Sequence, residues 1–166
     1  DHITEEAVAA SSTSVLPSNS VLMVTRSGIL RHTFPVAVSR IPVTLNQDLT
    51  ALKPHEGLHA DYIAYALRSF SQRIVQTCTK GGTTVQSIEF PELQRFHIPR
   101  SPAREQSRIT DALDELLSDL DAGVAALERA REKLKLYRAS ILKAAVEGAL
   151  TADWRTQHPD VEPASE

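Results

Sequence analysis

The chain has 166 residues, of which 42% are hydrophobic and 23% are charged, and its formal net charge is −3 at pH 7. These proportions predict a globular protein with one core and an extension, and they exclude a multi-domain enzyme. No stretch approaches the roughly 18 apolar residues of a membrane helix, and the single Cys78 excludes an internal disulfide, so we expect a cytoplasmic protein with no membrane partner.

The charge is unevenly distributed along the chain. Residues 1–22 carry −3, residues 23–100 carry +4 and residues 101–166 carry −4. Only the middle segment is basic, and this allows a local patch that binds phosphate. An excess of this size also occurs in proteins that never meet DNA, so the charge leaves both interpretations open.

The first hundred residues predict a small α+β domain. Thr4 caps a short helical turn, and three segments rich in Val, Ile, Leu and Thr predict strands at residues 20–25, 35–41 and 49–53. Asp61 is the predicted N-cap of a helix that Gly81-Gly82 ends. The apolar stripe of that helix recurs every three or four positions, and it comprises Ile63, Leu67, Phe70, Ile74 and Cys78. Its pattern favours a core role for Cys78 over a reactive thiol.

From residue 101 a heptad pattern predicts one long helix, with Ser101 as its cap and Pro102 in its first position, continuing to about Gly148. The predicted seam is Ile109, Leu113, Leu116, Leu120, Gly123, Leu127, Ala130, Leu134, Tyr137, Ile141 and Ala144. At about 1.5 Å per residue this coiled-coil helix is roughly 65 Å long. A small domain cannot bury it, so we expect a second similar helix, in the same or another chain, as its partner.

The charges of this helix indicate how that partner packs. Residues 105–121 contain six acids and one base, whereas residues 128–143 contain six bases and two acids. Part of this polarity complements the helix dipole. An antiparallel partner of the same kind would place acidic half against basic half, and we therefore expect an antiparallel pair.

The sequence indicates no catalytic centre. His55 and His59 form the only close histidine pair and are two ligands short of a usual zinc site, and no phosphate loop or nucleophile elbow is present. The candidate binding residues lie instead in polar, basic loops, where Lys and Arg can neutralise phosphates and hydroxyl groups can approach them closely. These DNA-binding candidates are Arg26, Ser27, Arg31, Lys80, Thr83 and Thr84.

Several motifs resemble the specificity subunits of type I restriction-modification systems. They are Leu22-Met23-Val24-Thr25-Arg26-Ser27-Gly28, Leu45-Asn46-Gln47-Asp48-Leu49, Gly81-Gly82-Thr83-Thr84-Val85, Pro102-Ala103-Arg104-Glu105-Gln106, and Ile141-Leu142-Lys143-Ala144-Ala145 with Gly148, Leu150 and Thr151. The last two are the most specific, because they open and close the long helix. Ser101 departs from the family, which often has another proline there.

The resemblance implies a fold, a function and partners. Residues 1–100 would be part of a target-recognition domain that reads one half of a bipartite double-stranded DNA site. Residues 101–150 would be the spacer helix of an antiparallel coiled coil, and residues 151–166 a flexible tail. Modification subunits carrying S-adenosylmethionine would dock on the helices, and restriction subunits using ATP and Mg²⁺ would join through them, leaving this chain non-catalytic and without a cofactor of its own.

Two alternatives remain open at this point. The module could guide a single-chain restriction-methyltransferase fusion, since we expect further polypeptide upstream of Asp1. A protein-only coiled-coil adaptor without a DNA role would also fit the long helix.

Overall fold

A computed structural model describes residues 3–80 and 85–160 of the chain. It confirms the α+β class, with short strands followed by a long helix. The strands are β1 Val21–Val24, β2 Arg26–Ser27, β3 Val36–Val38, β4 Leu49–Leu52, β5 Thr79–Lys80 and β6 Gln86–Ile88. The α-helices are α1 Glu5–Ala9, α2 Ala60–Ser69, α3 Ser71–Cys78, α4 Phe90–Arg95, α5 Ala103–Val146 and α6 Ala152–Gln157.

The chain divides into two compact units, Asp1–Asp114 and Glu115–Glu166. The first unit contains all six strands, and the second contains most of α5 and all of α6. The division of the chain at residues 100 and 150 stays a prediction. Among the described residues no helix combines the length and the hydropathy of a membrane span.

The described part of the first unit contains two antiparallel three-stranded sheets. In one, β1 lies between β3 and β4, and alternation along β1 buries Val21 and Met23 on the core side. In the other, β6 lies between β2 and β5. The three strands predicted at residues 20–25, 35–41 and 49–53 are confirmed, but each is shorter than its apolar segment.

The helix predicted from Asp61 is two helices, and its predicted cap is wrong. The N-cap of α2 is His59, and Asp61 lies in the first turn, where it forms an ion pair with Arg40 at 2.7 Å. This pair raises the pKa of Arg40, chiefly through its hydrogen bond to Asp61. The helix breaks at Phe70, after which the Ser71 hydroxyl accepts a hydrogen bond from the Phe34 amide at 2.7 Å. This contact with a distant loop could not be recognised from helical periodicity.

The second of these helices also ends earlier than predicted. Its last residue is Cys78, and Thr79–Lys80 is already extended strand, so the chain leaves the helix before Gly81-Gly82, which lie outside the described residues. The predicted apolar stripe is nevertheless confirmed. Ile63, Leu67, Ile74 and Cys78 are buried in the core and Phe70 packs against it. Cys78 is 1% exposed, as expected of a core residue.

The start of α5 is fixed by Gln106, whose side chain is completely buried. Its Oε1 accepts a hydrogen bond from the His59 amide at 2.9 Å, and its Nε2 donates to the carbonyls of Gly57 at 3.1 Å and Ser101 at 2.7 Å. One amide side chain therefore joins the first turn of α5 to the loop before α2. The prediction that Pro102 is the first helical residue is wrong by one position, since α5 begins at Ala103.

The Ser101 hydroxyl, the predicted cap of this helix, is instead paired with the Tyr62 hydroxyl at 3.2 Å. Tyr62 also donates to the Pro99 carbonyl at 3.0 Å. One turn further along α2, the Tyr65 hydroxyl donates to the Asp114 carboxylate. The first unit thus holds the opening three turns of α5 through polar contacts, and this is a tertiary arrangement that heptad analysis does not address.

In the second unit α5 ends at Val146, and Gly148 follows with a φ of 70°. Only glycine adopts this left-handed conformation freely, and it is a common end to a helix. A Cβ at Gly148 would also lie 3.0 Å from the Arg155 guanidinium of α6. The short helix α6 occupies part of the predicted tail, whose flexibility stays a prediction.

Candidate nucleic-acid interface

Two of the predicted binding residues, which are distant in sequence, lie on either side of one residue of the second sheet. Arg26 on β2 is paired with Ser87 on β6, and Lys80 on β5 is paired with the same Ser87 from the other side. Directly opposed residues in a sheet place their side chains on the same face. Arg26, Ser87 and Lys80 therefore form one transverse row, which we call the basic row.

The basic row lies on the outer face of its sheet. On β6 the residue after Ser87 is Ile88, which is 7% exposed and belongs to the core. Because successive residues of a strand point to opposite faces, Ser87 and its row neighbours point away from the core. Both basic side chains are correspondingly exposed.

Thr25 positions this sheet by joining it to the first one. Its amide donates to the Asp48 carbonyl at 2.8 Å, and its own carbonyl accepts from the Ile88 amide at 2.8 Å. Thr25 is 6% exposed. The chain thus passes through a buried residue from the core strand β1 to the exposed strand β2, and Arg26 is the first residue beyond that anchor.

Ser27 and Arg31 flank a 3-10 helix that follows β2. The Ser27 hydroxyl accepts a hydrogen bond from the Ile29 amide at 3.3 Å and so caps the 3-10 helix Gly28–Arg31. Leu30, inside this turn, is completely buried and anchors it. Arg31 is exposed at the end of the turn. The Ser27 hydroxyl thus has a local structural bond, and contact of either residue with DNA stays a prediction.

The sequence prediction missed Ser87 and misassigned the loops around it. The candidates Arg26, Ser27 and Lys80 were predicted to lie in polar loops, whereas Arg26–Ser27 and Thr79–Lys80 are short strands. A two-residue strand has too little alternation to be recognised in sequence. Thr83 and Thr84, also predicted to bind DNA, lie outside the described residues.

The predicted helix-helix seam is exposed along most of its length. Leu116, Leu120, Leu127 and Leu134 are 60% to 71% exposed, and Tyr137 is 65% exposed. Ile109 and Leu113, which belong to the first unit, are half-buried. A Cβ built at Gly123 would meet no atom of the chain within 4 Å. The described residues therefore leave this apolar face available, and its pairing stays a prediction.

Comparison with known proteins identifies the family. A family profile described as the type I restriction modification DNA specificity domain matches residues 2–129. The chain belongs to this type I specificity family.

Individual relatives of this specificity chain agree with the profile. It is 38% identical over 145 residues to the type I restriction enzyme EcoR124I/EcoR124II specificity subunit of Escherichia coli, covering 86% of this chain and 36% of the relative. It is 32% identical over 108 residues to the StySPI specificity subunit of Salmonella potsdam, covering 65% and 23%. The EcoKI specificity subunit of Escherichia coli K12 is 31% identical over 108 residues, covering 65% and 23%. The chain thus spans about a third or less of the length of these relatives.

Two polar groups of the first unit, the His59 ring and the Tyr65 hydroxyl, make contacts with α5. The His59 ring Nδ1 lies 3.2 Å from the Ser107 hydroxyl, and among residues 3–80 and 85–160 no group of three or more His, Cys, Asp or Glu could hold a metal ion. The pKa of Tyr65 is raised above its ordinary value, mainly by its hydrogen bond to Asp114, which favours the neutral phenol. This bond connects α2 to α5.

Proposed function

We propose that this chain contributes sequence-specific DNA recognition to a type I restriction-modification specificity subunit, and that its first unit reads one half of a bipartite site. The observation that carries this proposal is the basic row, an exposed pair of cations at matched register in a chain of the DNA specificity family. Neighbouring strands lie about 4.8 Å apart, so the backbones at Arg26 and Lys80 are about 10 Å apart. This separation is within the width of a major groove, about 12 Å.

The two ends of the row would have different tasks. Lysine acts as a point charge on phosphate, whereas the arginine fork can donate two parallel hydrogen bonds to a guanine edge. Ser87, between them, can donate or accept at either a base or a phosphate. Thr83 and Thr84 would extend the same contact surface, and Arg31 would reach the flanking backbone.

The remaining parts of the assembly belong to partners. We propose that modification subunits bring S-adenosylmethionine and the methyltransferase centre, and that restriction subunits bring ATP and Mg²⁺ chemistry. In this arrangement the chain itself is non-catalytic and works in the cytoplasm, where it meets chromosomal and invading DNA. Its target sequence depends on side chains at the row and in the adjoining loops.

We further propose that the seam of α5 pairs with a similar helix in antiparallel orientation, in the same polypeptide or in a second chain. With the crossing centred near residue 125, which is close to the middle of the helix, the small seam residues Gly123 and Ala130 each face a large one. For a partner of identical sequence the layers would be Leu127 with Gly123, Leu120 with Ala130, Leu113 with Tyr137, Leu134 with Leu116, and Ile141 with Ile109. Alternating large and small residues in this way fills a helix interface evenly.

The same register also pairs opposite charges beside the seam. Asp119 would flank Lys133 of the facing helix, twice by symmetry, and the acidic half of each helix would lie along the basic half of the other. A parallel pair would bring like charges together. The charge pattern and the size pattern are independent of each other, and both favour the antiparallel pair.

The decisive experiment is DNA selection by the complete subunit assembled with its modification partner, using a randomised library at two salt concentrations. We expect recovery of a motif in two fixed-spacing halves. Lys80→Ala should weaken binding to all sequences and reduce the salt slope by about 1, whereas Arg26→Ala should also relax the preference at one base position. Lys53→Ala is the matched control, because Lys53 is an exposed base of the first unit outside the row.

Other outcomes would separate the alternatives. Retention of DNA without any motif would reduce the function to phosphate binding. No retention at either salt concentration would favour a protein-only adaptor, in which the coiled coil alone has a role. A methyltransferase domain encoded in the same polypeptide would identify a single-chain fusion.

A further inference from the structure

A polar cleft lies between α3 and α4, outside the basic row. It has a volume of about 310 Å³. Its lining includes Arg73 and Thr77 on α3 and Glu92 and Arg95 on α4, with Phe96 and His97 following. Arg73, Arg95 and His97 bring nitrogen donors to one cavity, and this chemistry fits an anion.

Packing restrains the Arg73 guanidinium in this cleft. It lies 5.7 Å from the centre of the Phe96 ring, in a cation–π arrangement. The Phe96 ring is itself held edge-on by Phe70, with ring centres 5.8 Å apart. A guanidinium supported on an aromatic face loses less conformational freedom when it binds a phosphate than a freely moving side chain does.

The second guanidinium of the cleft belongs to Arg95, the last residue of α4. It is paired with Glu92 at 2.9 Å, and its side chain is still 75% exposed. Glu92 cancels one of the two arginine charges, so the cleft has a net positive charge of about one before any contribution from His97. An exposed pair of this kind contributes little to stability. Arg95 can therefore turn from Glu92 to a phosphate at little cost.

The position of the cleft connects it with the basic row. Thr77 lines the cleft, and Lys80, an end of the row, follows three residues later. Three residues span at most about 11 Å even when extended. One turn of a DNA duplex, about 34 Å, is longer than this separation, so a single duplex is long enough to contact both Lys80 and the cleft.

We propose that the α3–α4 cleft is a second DNA-contact site that takes one backbone phosphodiester through Arg73 and Arg95, beside the half-site read by the basic row. This rests on the proposed DNA function and extends it. The basic row would provide contacts of which at least some depend on the DNA sequence. The cleft fixes the position of the duplex and contributes equally on every sequence.

The test is the salt dependence of DNA binding by the complete specificity subunit with its modification partner, measured by fluorescence anisotropy. Arg73→Gln and Arg95→Gln should each reduce the slope of log K against log salt by about 1 and lower the affinity roughly threefold to tenfold, equally on specific and unrelated duplexes. Arg73→Lys should restore most of the slope. Glu92→Gln should raise affinity, because it removes the acid that competes with phosphate.

The controls separate this site from the rest of the proposal. Arg104→Gln changes an exposed arginine outside the cleft and should leave the slope unchanged. Melting temperatures identify a merely structural role, which would lower stability without a change of slope and would overturn the inference. A second result would also overturn the inference. If inorganic phosphate at fixed ionic strength stabilises the wild type but not Arg73→Gln, and Arg73→Gln leaves the DNA slope unchanged, the ligand of the cleft is free phosphate.

The two proposals can fail separately. If Lys80→Ala reduces the slope and both cleft variants leave it unchanged, the cleft is not a DNA site and the proposed function stands. If the wild-type assembly binds no DNA, both proposals are overturned. A reduced slope in the cleft variants, with unchanged melting temperature, supports the cleft.

Discussion

Replacement of Gln106 by alanine tests the central polar contact of the first unit. The side chain is 0% exposed and partners three backbone groups, the His59 amide and the Gly57 and Ser101 carbonyls. The three backbone groups are only partly buried, so each lost hydrogen bond costs about 1 kcal/mol. Three bonds give a loss of about 3 kcal/mol, and the cavity left by the side chain adds to it.

The assay is equilibrium unfolding in urea, combined with hydrogen exchange at the His59 amide. We expect Gln106→Ala to lower the free energy of unfolding by about 3 to 5 kcal/mol and to accelerate exchange at His59. Gln106→Glu keeps the size but offers acceptors to two carbonyls, so it should not restore stability. Gln72→Ala is the control, because Gln72 is an exposed helical glutamine.

A loss below about 1 kcal/mol for Gln106→Ala, with unchanged exchange at His59, would refute this reasoning. It would mean that water or a shifted backbone replaces the amide without difficulty. The opening turn of α5 would then be held by its apolar contacts and by the tyrosine bonds, and the buried glutamine would have little energetic importance.

Two further predictions concern the long helix. Gly123→Leu should raise the helicity of an isolated α5 peptide but weaken helix pairing roughly tenfold, because the new side chain overpacks against Leu127. Ser118→Leu lies outside the seam and should not weaken pairing. Sedimentation equilibrium measures the pairing of both variants. Asp114→Asn should lower the raised pKa of Tyr65 in an ultraviolet absorbance titration. Because folding raises that pKa, the stability from the Tyr65 bond is complete below about pH 10 and is lost as the pH rises through the folded value; an unchanged titration in Asp114→Asn would contradict this.

The basic row shows where prediction from sequence stopped. Arg26 and Lys80 were both recognised from their polar, basic surroundings, but their adjacency depends on the pairing of each with Ser87. The pairing of Arg26 with Ser87 joins residues 61 positions apart through strands of two and three residues. No local periodicity records such a pairing, because short strands gain their stability from neighbours distant in the chain.

The cleft between α3 and α4 was missed for a related reason. The break at Phe70 and the helix α4 depend on tertiary contacts, among them the Phe34 amide with Ser71 and the packing of Phe96 on Phe70. A continuous helix through residue 80, as the apolar stripe predicted, would not make this cleft. The stripe itself was predicted correctly, since burial of Ile63, Leu67, Ile74 and Cys78 requires only that the segment be helical.

The sequence by itself determined the α+β class, the apolar faces and the long helix with its heptads and polarised charges, because these are periodic properties that each segment carries alone. The tertiary structure decided which basic residues share a face of a sheet, which backbone groups the Gln106 side chain binds at the start of α5, and which two arginines line one cavity. These depend on hydrogen bonds and contacts between segments far apart in the chain. Such contacts form only when the core has brought the segments together, so they leave no repeating pattern in the sequence.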